Sequence, residues 1–109
     1  MRVLLDQCTP VPIREYLTQH QVSTAHEHGW GTLLNGRLIK AAEAAGFDVL
    51  LTADTHMMNQ QNLGQAHMAI VVLSTNHWRS VLAAVNSVVA AVDAAKPGLQ
   101  WVEIPHSKI

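Results

Sequence analysis

The chain has 109 residues, enough for one hydrophobic core and too few for two. Apolar residues make up 49% and charged ones 14%, which excludes intrinsic disorder as a description of the whole chain. Seven Lys and Arg stand against eight Asp and Glu, and no run of one sign occurs, so a strong electrostatic grip on nucleic acid is not encoded.

Aromatic residues are only 5%, while Ala, Val and Leu dominate, a composition that suits helices packed on a sheet. Cys8 is the one cysteine, which excludes an intrachain disulfide and a four-thiolate zinc site. Val3, Leu4 and Leu5 are too short an apolar run for a secretory segment. The longest apolar stretch, Val81 to Ala95, is interrupted by Asn86, Ser87 and Asp93 and falls short of the ~20 residues that span a bilayer. The expectation is a single cytoplasmic domain over residues 1–109, without membrane association.

In chain order, Arg2 to Asp6 is an apolar run without alternation that ends at an acid, the pattern of a strand buried on both faces. Thr9-Pro10-Val11-Pro12 predicts a turn and a helix start, with a short helix over Ile13 to Leu17. Gln21 to Ala25 alternates weakly and predicts a second strand. Gly29-Trp30-Gly31 marks a loop that Asn35-Gly36 punctuates again. Leu38, Ile39, Ala42 and Ala45 then recur at helical spacing, and Gly46 supplies the stop.

Phe47 to Thr52 predicts a third strand running up to Asp54. Asn59-Gln60-Gln61-Asn62-Leu63-Gly64 predicts a short helix or turn, and Met68 to Leu73 a fourth buried strand followed by Ser74-Thr75-Asn76. Trp78, Val81, Leu82, Val85, Val88, Val89 and Val92 form one stripe, so a long helix is expected before Lys96-Pro97-Gly98. Leu99 to Ile104 provides a last strand, closed by Pro105.

Strands alternating with helices imply an α/β fold of three layers, Rossmann-like, with a mostly parallel sheet. All parallel strands then end on one edge, where ligands of such sheets collect. Asp6 and Asp54 fall at that edge. If their strands are neighbours, about 4.8 Å apart, the two carboxylates can reach one cation. Mg²⁺ suits such a pair, because it takes one or two carboxylates, fills its octahedron with water and bridges to phosphate. Taken singly, each acid reads equally well as a helix N-cap.

The segments Arg2-Val3-Leu4-Leu5-Asp6, Gly29-Trp30, Asn35-Gly36 with Leu38, Phe47 to Asp54, Gln60-Gln61-Asn62-Leu63 and Ala69 to Ser74 follow one another in an order that resembles the PIN-like domain family. These are shortened relatives of PIN nucleases, often encoded as toxins of toxin-antitoxin pairs. The resemblance implies a metal-dependent ribonuclease using Mg²⁺ or Mn²⁺, an RNA substrate and a cognate antitoxin, with Asp6 and Asp54 carried over as catalytic metal acids. Two positions depart from the pattern. Gln7 stands where many PIN-like sequences have a second acid, and Asn35-Gly36 where they have acids near the second helix. Fewer carboxylates bind a cation less tightly.

Around the two aspartates, Gln7, Glu27, Asn35, His56, Gln60 and Ser74 are candidate substrate or second-layer residues. Glu27 reads either as a third acid or as a solvated loop residue. His26-Glu27-His28 makes zinc conceivable, although no third ligand at short spacing accompanies the imidazoles. Arg37 and Lys40 share a helix face that could meet a phosphate. Asp48 begins its strand and belongs to the opposite edge, and Glu43 reads as an exposed helical residue.

Two other readings compete with the nuclease. The fold could persist as a binding module with a degenerate site. A phosphoacceptor receiver domain would also place acids after its first and third strands, with Asp54 as acceptor and Ser74 or Thr75 as switch hydroxyl. The small residues Ala83, Ala84, Ala90, Ala91 and Ala94 on the long helix suggest a homodimer face.

Overall fold

The computed structural model describes residues 1–59 and 67–105. Its strands are β1 (Arg2–Leu5), β2 (Gln21–Thr24), β3 (Val49–Thr52), β4 (Ala69–Leu73) and β5 (Gly98–Val102), and its helices are α1 (Asn35–Ala44), α2 (Trp78–Ala83) and α3 (Val85–Asp93). Three 3₁₀ segments, Val11–Tyr16, His26–His28 and Thr55–Asn59, complete the described elements. Every strand pair is parallel and the order is β2-β1-β3-β4-β5. The sheet is thus wholly parallel, the α/β architecture expected from the alternation of elements.

β1, β3 and β4 are apolar without alternation because both faces of the sheet are covered. Val3, Leu5, Val49, Leu51, Val71 and Leu73 point to one face, where they pack with Ile13, Leu17, Val81, Val88 and Val92. Leu4, Leu50, Ile70 and Val72 point to the other, under Leu38, Ile39, Ala42 and Phe47. A strand's two-residue period therefore sorts one continuous run into two cores. Each fully buried Leu or Val contributes about 1.5–3 kcal/mol relative to exposure.

From β1 the chain crosses to β2 on one side, and from β3 it crosses to β4 on the other. The connections diverge between β1 and β3, which opens a crevice at their carboxyl ends. That divergence positions the candidate site.

Several elements differ from the sequence reading. The short helix expected over Ile13 to Leu17 is 3₁₀ and covers Val11–Tyr16, with Pro12 in its first turn, where a missing N–H costs nothing. Asn35-Gly36 lies inside the first turn of α1 rather than before it, since backbone N–H groups there need no intrahelical acceptor. Gly46 takes φ 85°, the left-handed conformation that a residue just past a helix end adopts, as its sequence position suggested.

The long helix is two helices. Ala84, at φ -109° and ψ 21°, separates α2 from α3, and its N–H is shared between the carbonyls of Ser80 and Val81. The stripe accordingly divides, with Val81, Val88 and Val92 buried and Leu82 left 38% exposed. Packing on a twisted sheet outweighs the uniform period of the sequence. Glu43, read as exposed, is half-buried, and its Oε2 accepts the N–H of His67 at 2.8 Å.

No helix among the described residues is long and apolar enough to cross a membrane. The turn expected at Asn59 to Gly64 lies, from Gln60 on, outside the described residues.

Candidate functional site at the β1 and β3 strand ends

Asp6 is the first residue after β1, and its N–H continues the ladder by donating to the Leu51 carbonyl at 3.0 Å. The carboxylate is therefore fixed by the strand rather than carried on a loose loop. Asp54 follows β3 by two residues and opens the 3₁₀ segment, where its Oδ1 accepts the His56 N–H at 3.0 Å, an N-cap contact. The cap reading of Asp54 holds and leaves one oxygen over, because Oδ1 serves the turn and Oδ2 makes no hydrogen bond among the described residues.

Thr52 joins the two acids. Its hydroxyl donates to Asp6 Oδ2 at 2.7 Å and accepts the Asp54 N–H at 3.0 Å. Thr52 is fully buried, so these bonds act with little competition from water. Sequence reasoning passed over it, although a hydroxyl ending the otherwise apolar run Val49-Leu50-Leu51-Thr52 was a signal that a polar partner waits at that end.

Cys8 completes the cluster. Its thiol donates to Asp6 Oδ2 at 3.5 Å and lies 3.6 Å from Thr52 Oγ1. Burial pushes the thiol pKa up, against the hydrogen bond with Thr52, and the neighbouring Asp6 charge pushes it further. Cys8 is thus a partly buried thiol that stays protonated at neutral pH.

An open cavity of about 380 Å³ is lined by Asp6, Gln7, Cys8, Gly31, Leu33, Leu34, Asn35 and Asp54. The two sequence-distant aspartates, Gln7 and Asn35 therefore share one pocket. Gly31 lies close against the amide of Gln7: a Cβ built on Gly31 would stand 2.7 Å from Gln7 Oε1. Leu34, at 79% exposure, forms an apolar lip.

The other candidates are placed elsewhere or engaged. His56 is at the rim, with Nδ1 3.2 Å from Asp54 Oδ1. Glu27 is not beside Asp54; it pairs with Arg14 and accepts the Thr24 N–H at 2.7 Å, in a second pocket on the far side of Asp6. Ser74 is tied to the end of β5, its Oγ accepting the Ile104 N–H at 2.8 Å. Gln60 lies outside the described residues. His28 stacks on Trp30 with ring centroids 4.7 Å apart and meets the edge of Phe47, while His26 lines the second pocket, so the two imidazoles do not converge. Arg37 lines a separate cavity with Leu33 and Leu34. Asp48 sits at the opposite rim, as expected, accepting the Arg2 N–H at 2.8 Å.

Besides the protonated Cys8 thiol, the side-chain donors around the first pocket are two carboxylates and two amides, whose hard oxygens fit Mg²⁺ or Mn²⁺ better than zinc. Among the described residues no three His, Cys, Asp or Glu side chains gather as a complete metal cage. Water and a substrate oxygen would fill the remaining coordination positions. Comparison with protein-family models, with curated proteins and with solved structures returned no match to this chain.

Proposed function

We propose that the protein is a metal-dependent ribonuclease of the PIN-like type, with Asp6 and Asp54 as the metal-holding carboxylates. The observation that carries this reading is that both acids line one pocket at the point where the sheet connections diverge. A bound Mg²⁺ or Mn²⁺ would supply Lewis acidity to a phosphodiester and lower the pKa of water there. Asp6 holds its place through the β3 ladder and the Thr52 hydroxyl, and Gln7 and Asn35 offer amide groups to the sugar-phosphate chain. The role of toxin, and an antitoxin that neutralises it, rest on the family resemblance alone.

The strand order favours one other reading. The order β2-β1-β3-β4-β5 is that of flavodoxin-like folds, receiver domains among them, and acids follow β1 and β3 as a phosphoacceptor site requires. Against it, the Ser74 hydroxyl is committed to Ile104, and the described residues after β5 are Glu103, Ile104 and Pro105, without a lysine.

RNA cleavage with Mg²⁺ or Mn²⁺ tests the proposal. Wild type should cleave, and Asp6→Asn and Asp54→Asn should each lose more than about 100-fold, beyond the usual loss for an outer-layer metal partner. Unchanged cleavage in both variants would reject the assignment, and phosphorylation of Asp54 by a small phosphodonor would favour the receiver.

A further inference from the structure

The two edges of the sheet are finished differently. At the β2 edge the outward N–H of Thr24 is taken by the Glu27 carboxylate at 2.7 Å. At the other edge no described strand lies beyond β5. The Gly98 N–H donates to the Met68 carbonyl at 3.2 Å, and the Val102 carbonyl accepts the Ser74 N–H at 3.0 Å. Bonded residues alternate along a parallel ladder, so Gly98, Gln100 and Val102 turn to β4, while Leu99 and Trp101 turn their N–H and C=O groups outward.

β5 has none of the devices that usually blunt an edge. Its residues, Gly98-Leu99-Gln100-Trp101-Val102, include no charge and no proline. The Gln100 carboxamide closes on the turn before the strand, accepting the Lys96 N–H at 2.9 Å and donating to the Lys96 carbonyl at 2.8 Å, which holds the start of the edge in shape. Trp101 is 43% exposed, and Leu99, two residues back on the same face, is only partly buried against the core under α1.

Charge identifies the occupant. Lys96 lies two residues before the strand and Glu103 directly after it, and both are exposed. A copy of the same strand laid antiparallel brings the start of one to the end of the other, so each Lys96 meets the Glu103 of the second copy, whereas a parallel copy would set like charges together. The match extends to the strand itself. When Leu99 opposes Trp101 of the second copy, these outward residues form bonded pairs and exchange about four backbone hydrogen bonds across a two-fold axis. Directly opposite residues share a face, so each exposed indole then covers the leucine that the other copy leaves partly open.

We propose that the outer edge of β5 is a homodimer interface, at which two copies join through antiparallel β5 strands into one continuous sheet. Antiparallel joining points the two carboxyl rims in opposite directions, so both Asp6–Asp54 pockets stay open, and the dimer stands or falls separately from the RNA reading. Two edge strands make a small interface, of the size typical of transient contacts, so the test is sedimentation equilibrium up to about 1 mM protein. Wild type should rise with concentration towards twice the chain mass. Lys96→Glu and Glu103→Lys should each raise the dissociation constant about five- to tenfold, because two ion pairs become repulsive at once, and the doubly reversed chain should return to the wild-type value. Trp101→Lys should leave a monomer whose circular dichroism matches that of wild type. The Leu99 and Trp101 amides of wild type should exchange with deuterium more slowly as its concentration rises. A wild type that stays monomeric would overturn the proposal, including one whose Leu99 and Trp101 amides are protected at every concentration, since another segment of the chain would then cover the edge. A dimer indifferent to both charge reversals and to Trp101→Lys would overturn it too, and loss of that dimer in Ala90→Glu would move the contact to the alanines of α2 and α3.

Discussion

The two rims of the sheet each hold an aspartate at a strand end and a cavity beside it, yet they treat charge differently. At the amino rim Asp48 accepts the Arg2 N–H at 2.8 Å, and the Arg2 guanidinium lies 4.3 Å from the Phe47 ring centroid and donates to the Ala45 carbonyl. There a cation and an anion are each used by the fold itself. At the carboxyl rim Asp6 and Asp54 are met by the Gln7 and His56 N–H groups, the Thr52 hydroxyl, the Cys8 thiol and the His56 ring, and no Lys or Arg lines their pocket. The amino-rim cavity is the larger, at about 450 Å³ against about 380 Å³, so size does not mark the site. Negative charge left without a Lys or Arg, at the place where the chain connections diverge, is what marks the candidate.

Exchanging single atoms at each rim can break this contrast. Asp6→Asn should remove RNA cleavage while Asp48→Asn leaves it unchanged and costs about 1 kcal/mol of stability in urea unfolding, the usual worth of one hydrogen bond. Equal loss of cleavage in both variants would erase the distinction between the rims. Thr52→Val is nearly isosteric but strands the Asp54 N–H and removes the donor to Asp6. It should lower cleavage about 10- to 100-fold, as loss of an orienting partner does, with stability reduced by about 1–3 kcal/mol.

Cys8 gives a milder probe of the same pocket. With its pKa raised by burial, its thiol should react with iodoacetamide at about pH 8 more slowly than a free thiol, and unfolding in urea should restore the rate. Equal rates folded and unfolded would remove Cys8 from the cluster. The smallest effect belongs to the exposed Arg14–Glu27 pair. Its carboxyl is lowered from 4.5 to about 2, so the stability it adds is present above pH 4.5 and is lost as pH falls through about 2. The stability difference between wild type and Glu27→Gln should shrink across that window and stay constant above it.

Much of this was readable along the chain. Unbroken apolar runs identified β1, β3 and β4, because only strands covered on both faces dispense with alternation, and acids just beyond the first two runs pointed to the rim that carries the candidate site. The break at Ala84 was not readable, since neither glycine nor proline marks it and the valine stripe continues across it. Arg14 drew no notice either, because an arginine in a short turn looks solvated until Glu27, thirteen residues on, is folded against it.

Taken by itself, the order of apolar and polar residues determined where the strands fall, the mostly parallel sheet and the edge to which Asp6 and Asp54 belong, because burial acts on side chains one after another along a strand. Only the tertiary structure decided that β1 and β3 are neighbours, that Thr52 bonds Asp6 while accepting the Asp54 N–H, and that Glu27 turns away to Arg14. Those outcomes depend on distances between residues far apart in sequence, which local periodicity does not encode.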